Sequence, residues 1–133
     1  MCPDTFYIEL ERASGPQYPY GDFGARFQLF LPRSADGRVD TDALRQGKGH
    51  YPGTRLRASD GEANGRIMLN SIGQFVLQYE DLRFYPSTLF FGSAPLAVGS
   101  LMRIAEYAEK PRDYRVVSIR QVTPPLATAA ATA

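Results

Sequence analysis

Few side chains in this sequence are suited to nucleophilic catalysis or to binding a metal. The 133-residue chain contains one histidine, His50, and one cysteine, Cys2. Structural zinc needs about four Cys or His ligands, and a Cys–His nucleophile pair needs both groups held side by side. Cys2 lies near a chain end, where residues are usually mobile. The sequence therefore predicts no metal site, no cofactor and no Cys–His catalytic pair.

His50 can act as a general acid or base near neutral pH, but no second catalytic group can be named beside it. The Gly-x-Ser-x-Gly elbow of serine hydrolases does not occur in the sequence. The Gly-Lys-Gly segment at 47–49 departs from the phosphate-binding Walker pattern, because Asp42 stands at the earlier glycine position and Gly49 follows the lysine. A small acid/base enzyme that uses His50 is therefore the last of three functional alternatives.

A second alternative is a barrel that holds a small apolar or anionic ligand in its open end. Residues 13–24 form a loop by composition and carry three aromatic side chains, and rings in such a position can line a binding surface. Several basic residues surround His50 in the sequence, and a basic loop can hold an anion. The ligand-binding candidates are Tyr18, Tyr20, Phe23, His50, Tyr51 and Arg55.

The first alternative is a non-enzymatic protein-interaction or structural module, a subunit of a larger assembly or a self-associating protein. It follows from the missing catalytic set and from aromatic side chains at outward strand positions, which subunit contacts often use. The interface candidates are Tyr7, Phe30, Pro124 and Leu126.

The charge balance and hydropathy argue against two classes of partner. The 15 Lys and Arg residues nearly cancel the 14 Asp and Glu residues, so no overall field draws the chain to nucleic acid or to an anionic membrane. No run approaches the roughly 20 apolar residues of a membrane helix, and residues 1–10 contain charges where a signal peptide is apolar. We therefore predict no specific nucleic-acid partner, no membrane partner and a cytoplasmic location, or a virion location for a viral structural protein.

Alternating apolar and polar residues predict the elements that must position these side chains. Residues 5–12, 25–32 and 65–85 alternate with a period of two, as half-buried strands do. We predict an all-β fold, a small and mostly antiparallel barrel or roll of about six to eight strands with at most one short helix. The expected inward side chains of the first two strands are Phe6, Ile8, Leu10, Phe27, Leu29 and Leu31.

Two turn predictions concern the central segment. Asn64-Gly65 is a preferred type I′ turn pair, so residues 54–59 are expected to fold back as its hairpin partner, although Asp60-Gly61 competes for the same turn. Ile72-Gly73 interrupts the alternation, and we interpret it as a bend in one continuous strand over 66–80.

The chain suits one domain over residues 1–123, followed by a flexible Ala/Thr-rich tail at 124–133. The long segment 33–53 is expected to lack an apolar face and to contribute little stability, apart from a helical turn that Asp40 or Thr41 caps and Gly47 stops. A terminal hairpin is expected over 100–122. Four of its side chains are expected to face the core: Met102, Ile104, Val117 and Ile119.

Overall fold

The protein is an all-β barrel with one short helix, which confirms the predicted fold class. A computed structural model describes residues 4–12, 26–47, 50–57, 61–107 and 110–122. The elements in chain order are β1 (Asp4–Arg12), β2 (Arg26–Arg33), α1 (Thr41–Gln46), β3 (Pro52–Arg57), β4 (Gly61–Leu69), β5 (Phe75–Tyr79), β6 (Ser87–Phe90), β7 (Leu101–Ala105) and β8 (Arg112–Val122).

The eight strands form a closed antiparallel barrel of up-and-down topology. Each strand pairs with the next, and β8 pairs with β1, so that Ile8 lies opposite Leu29 on one side and Ile119 on the other. Because neighbouring strands run in opposite directions, β1, β3, β5 and β7 all finish at the same end of the barrel. We call this end the mouth. The opposite end carries α1, and we call it the helix end.

Side chains fill the centre of the barrel. The inward residues predicted for β1 and β2 are buried, as are Phe75, Leu77 and Tyr79 on β5. Gly53 on β3 shows how closely the interior is packed, since a Cβ there would lie 2.8 Å from methyl groups of both Leu29 and Leu77. Ligand binding in this barrel therefore has to take place at an end and not in a central lumen.

The Asn64-Gly65 pair does not form a turn, so that prediction is wrong. Both residues lie inside β4, where Gly65 pairs with Tyr79 of β5. A Cβ at Gly65 would overlap the carbonyl oxygen of Gln78, so the glycine is needed because two backbones approach closely. The β3–β4 connection falls at 58–60, outside the described residues, and is followed by Gly61 with φ 72°.

Ile72-Gly73 forms a tight turn, so the prediction of one bent strand over 66–80 is also wrong. The side-chain oxygen of Asn70 accepts hydrogen bonds from the backbone N–H groups of Ile72 and Gln74, at 3.0 and 2.9 Å. Gly73 has φ 83°, a conformation that favours glycine. The chain reverses here, which makes β4 and β5 a hairpin.

A β-bulge at Val117 corrects the predicted core of the last strand. Leu10 of β1 pairs with Val116 and Glu9 pairs with Ser118, so Val117 is left over between them. Val116 is fully buried, whereas Val117 is 39% exposed and does not face the core. Ile119 packs against the core while only partly buried, and the predicted burial of Met102 and Ile104 is confirmed.

The segment between β2 and β3 is packed against the barrel, contrary to the prediction that it lacks an apolar face. Val39 and Leu44 are buried members of the hydrophobic core. The predicted helical turn is present as α1: the carboxylate of Asp40 accepts a hydrogen bond from the backbone N–H of Ala43 at 3.0 Å, and Gly47 is the C-cap. The helix holds Leu44 over the helix end of the barrel.

Candidate functional site

The mouth of the barrel contains a buried arginine. On β3, Gly53 and Arg55 alternate inward, and Arg55 is only 4% exposed. Arg55 pairs with Phe27 of β2 and with Ala63 of β4. The small side chain of Ala63, itself buried, leaves room for the guanidinium at the top of the core.

Glu106, the residue that follows β7, holds two guanidinium groups together. Its Oε1 accepts a hydrogen bond from Nη1 of Arg55 at 3.3 Å, and its Oε2 contacts Nη2 of Arg57. The side chains of Arg55 and Glu106 are almost completely buried, whereas that of Arg57 is 26% exposed. A buried charge needs a partner of opposite sign, and here one carboxylate serves two cations. Arg57 is the more exposed of the two arginines that contact Glu106.

Aromatic rings surround the buried guanidinium. Cζ of Arg55 lies 4.6 Å from the centre of the Tyr79 ring and 5.0 Å from that of Phe84, in cation–π geometry. The hydroxyl groups of Tyr79 and Ser87 are hydrogen-bonded at 2.5 Å. Burial is the main cause that raises the pKa of Tyr79 to about 12. Tyr79 is therefore a neutral phenol at physiological pH and cannot act as a general base.

A cavity of about 270 Å³ opens above this cluster. Its rim includes Tyr85 and Tyr107, whose rings are stacked with centroids 3.8 Å apart and planes 12° from parallel. The two residues are 59% and 63% exposed. The residues that line the cavity are Arg55, Arg57, Arg83, Phe84, Tyr85, Glu106 and Tyr107.

The third cation of the lining, Arg83, is neutralised locally. Its Nη2 lies 2.6 Å from Oδ2 of Asp81, and both residues are in the connection between β5 and β6. The side-chain hydrogen bond from Arg83 is the main cause that lowers the pKa of Asp81 to about 2. The other two basic residues of the lining are Arg55 and Arg57, which contact Glu106.

Of the ligand-binding candidates that the structure describes, Arg55 lies at this cavity and His50 and Tyr51 do not. His50 and Tyr51 precede β3 and lie at the helix end, and β3 runs the length of the barrel between them and the mouth. His50 is exposed, and its backbone N–H donates to Gly47; Tyr51 packs against the core. The other three candidates, Tyr18, Tyr20 and Phe23, lie outside the described residues.

Sequence patterns did not predict Glu106 or the two rim tyrosines as site residues, although one signal for Glu106 was present. In β7 and the residue after it, every second side chain is buried: Met102, Ile104 and Glu106. In β3, Gly53 and Arg55 follow the same alternation. Two opposite charges, each at a core position, indicate a buried ion pair. The stacking of Tyr85 on Tyr107 depends on two loops and has no such signal.

The interface candidates Tyr7 and Phe30 lie opposite each other on the outer face of β1 and β2. Their ring centroids are 5.1 Å apart, and Cζ of Arg120 lies 4.8 Å from the centre of the Tyr7 ring. These neighbours cover Tyr7, which is buried, and burial raises its pKa. Pro124 and Leu126 lie outside the described residues.

A second, wider cavity of about 490 Å³ lies at the helix end. Three polar side chains of its lining bind one another: Ser34 hydrogen-bonds to Asp36, and Asp36 forms an ion pair with Arg38 at 2.7 Å. The described ranges hold no group of three or more His, Cys, Asp or Glu side chains placed to bind a metal ion. The mouth is therefore the better candidate site.

No protein-family model matches the chain, and no match was found among curated proteins or solved structures. None of the helical residues in the part of the chain that the structure describes belongs to a helix long and apolar enough to span a membrane.

Proposed function

We propose that this barrel binds a small anionic ligand at its mouth, where Arg57 is the first contact and Arg55 lies beneath it. The observation that carries the proposal is the cavity of about 270 Å³ whose lining includes the guanidinium groups of Arg55 and Arg57 beside Glu106. It develops the second alternative from the sequence, a barrel with a ligand in its open end, with a different set of residues around Arg55.

The electrostatics of the mouth favour an anion. Arginine presents a planar fork of N–H donors that fits carboxylates and phosphates. Because the low-dielectric core lies directly beneath Arg55, its charge is screened less than a surface charge would be. A ligand carboxylate or phosphate that enters the cavity would meet such donors first on Arg57, the more exposed of the two arginines.

Isothermal titration calorimetry with acetate and inorganic phosphate at low ionic strength tests the proposal. We expect Arg57→Gln to weaken binding of at least one anion by about tenfold, because a hydrogen bond to a charged group is lost. Arg103→Gln is the matched control: it removes the same charge from an exposed side chain on β7 that pairs with Asp113. Equal losses in the two variants, or no binding of either anion, would contradict the proposal.

A second candidate function, the protein-interaction module, is supported by an exposed apolar strip on the β7–β8 side. The strip comprises Val98, Leu101 and Val117, and all three are at least 39% exposed. The backbone N–H of Gly99 donates a hydrogen bond to the carbonyl of Val116, which holds the segment before β7 beside β8. Exposed Arg115 lies opposite Leu101 and borders the strip, and a second copy of the chain that covers the strip would make a twofold contact.

Light scattering after size-exclusion chromatography tests this second candidate. A dimer that Leu101→Asp converts to a monomer would support it. A monomeric wild-type protein at high concentration would contradict it. The acid/base enzyme with His50 stays a prediction, and no contact of the described residues adds a second catalytic group to it.

A further inference from the structure

We infer that the connection between β5 and β6, residues 80–86, is a lid that opens to give a ligand access to Arg55. We call this segment the lid. Three of the residues that line the cavity of about 270 Å³ belong to it: Arg83, Phe84 and Tyr85. The lid is inferred from contacts within the chain, whereas its part in ligand entry rests on the anion site proposed above.

Phe84 is the lid residue that covers the buried arginine. Arg55 is only 4% exposed, so a dissolved ligand has little access to it while the lid is closed. The centre of the Phe84 ring lies 5.0 Å from Cζ of Arg55, and its edge contact with the Tyr79 ring has a centroid distance of 6.2 Å. Displacing Phe84 would therefore uncover one face of the Arg55 guanidinium.

Both ends of the lid are anchored to the barrel. The backbone N–H of Glu80 donates a hydrogen bond to the carbonyl of Asn64 on β4, at 2.9 Å. The residues that flank the lid, Tyr79 and Ser87, are joined by the hydrogen bond between their hydroxyl groups. The two strands therefore stay in place when the residues between these anchors move.

Between its anchors the lid is bonded to itself. The backbone N–H of Phe84 donates a hydrogen bond to the carbonyl of Asp81, and the side chain of Arg83 pairs with that of Asp81. Among the described residues, no backbone hydrogen bond joins 81–86 to another part of the barrel. A segment with so few ties can open locally while the rest of the protein stays folded.

The ring of Tyr85 fastens the lid to the next connection at the mouth. It stacks on Tyr107, which follows β7, with centroids 3.8 Å apart. Both residues are more than half exposed, so separating the rings uncovers little of the core. Single aromatic and cation–π contacts are weak. The lid is therefore held shut by two such contacts, the stack at Tyr85 and the cover at Phe84.

Modification of Arg55 by phenylglyoxal, followed by mass spectrometry of the peptides, tests the lid without any ligand. We expect Phe84→Ala to raise the rate of modification by about tenfold, because the ring over the guanidinium is removed. Leu82→Ala is the matched control, since Leu82 belongs to the lid but is 83% exposed. The control should leave the rate within about twofold of wild type.

A second pair of variants tests the stack. Tyr107→Ala should raise the rate at Arg55 by about threefold, because the lid loses one of its two fastenings. Tyr107→Phe keeps the ring and should keep the wild-type rate. Exposed Arg103 serves as the internal reference in every sample. Thermal melting verifies that each variant is folded, and the exposed position of Tyr107 keeps the test decisive if Phe84→Ala does not fold.

Two results would overturn the lid. One is an unchanged rate at Arg55 in both Phe84→Ala and Tyr107→Ala. The other is a wild-type rate that rises in step with the unfolded fraction when urea is added, because Arg55 would then be reached through global unfolding. A slow wild-type rate that low urea leaves unchanged is the result we expect.

The anion titrations of the proposed function separate the two ideas. If neither acetate nor phosphate binds while the rate at Arg55 depends on Phe84, the anion site fails and the lid stands. If an anion binds but the rate does not depend on Phe84 or Tyr107, the lid fails and the anion site stands. A bound anion should also slow the modification of Arg55 in Phe84→Ala, and binding without such protection would overturn the part of the lid in ligand entry.

Discussion

Arg55 and Glu106 stand 51 positions apart in the chain, and the closed barrel brings the guanidinium of one within 3.3 Å of the carboxylate of the other. Both side chains are almost completely buried. The packed interior of the barrel thus ends, on the side of the mouth, in a buried charged pair.

Glu106→Ala is expected to lower the free energy of unfolding by about 3–5 kcal/mol, because it leaves the charge of Arg55 buried with less compensation. Urea denaturation followed by circular dichroism measures the change. The double variant Arg55→Met with Glu106→Leu should recover most of the loss, since apolar residues of similar volume remove both charges together. Equal stability of Glu106→Ala and wild type would show that the ion pair is solvated in solution.

Gly65→Ala should destabilise the protein by about 1–3 kcal/mol or more, since its Cβ would overlap the backbone of β5 at Gln78. Gly92→Ala is the matched control, because a Cβ at Gly92 meets no atom within 4 Å. The control should stay within about 0.5 kcal/mol of wild type. Thermal and urea unfolding of both variants check the prediction, which would be wrong if the two alanines had the same effect.

Leu44→Ala in α1 should cost about 2–5 kcal/mol, as much as Leu77→Ala in β5, because both side chains belong to the same core. Gln46→Ala, at an exposed position of the same helix, serves as the control and should change the unfolding free energy little. A negligible effect of Leu44→Ala on the unfolding free energy would show that the segment between β2 and β3 contributes little to stability, as its composition predicted.

Stability should fall as the pH rises from about 10 to about 12, partly because of Tyr79. Its folded-state pKa is raised to about 12, above the value near 10 of an unfolded chain. The stability from its buried neutral phenol is therefore fully present below pH ~10 and is lost as the pH passes through ~12, on the order of 2 kcal/mol in all.

The other tyrosines also titrate in this pH range, so the test compares wild type with Tyr79→Phe. We expect the urea-derived stability of the wild type to fall more steeply between pH ~9 and ~12 than that of the variant. Parallel curves for the two proteins would show that Tyr79 ionises without a cost to folding.

Alternation in the sequence predicted the strands and most of the core, because a half-buried strand needs an apolar side chain at every second position. Phe27, Leu29 and Leu31 follow this rule, and all three are fully buried. The rule fails at Val117, where a bulge shifts the phase of β8 by one residue. The bulge depends on pairing with β1, which a local pattern does not contain.

Turns and site residues were harder to predict, because one residue type can have different structural roles. Gly65 follows an asparagine as in a hairpin turn, yet it is a glycine because the backbone of β5 lies against it. Arg55 was among the predicted ligand-binding residues, but His50 and Tyr51 were grouped with it because they are close in sequence. Its true neighbours, Glu106 and Phe84, come from later strands and loops that only barrel closure brings near.

The pairing of β1 with β8 also bears on the order in which the strand pairs form during folding. All the remaining strand pairs join consecutive strands, whereas the β1–β8 pair joins distant parts of the chain. Arg12 of β1 donates a hydrogen bond to Tyr114 of β8 across 102 positions. Closing so long a loop costs more chain entropy than closing a hairpin. We expect the β4–β5 hairpin to form in the folding transition state and the β1–β8 pair to form afterwards. Leu77→Ala should therefore slow refolding, whereas Ile8→Val should mainly speed unfolding.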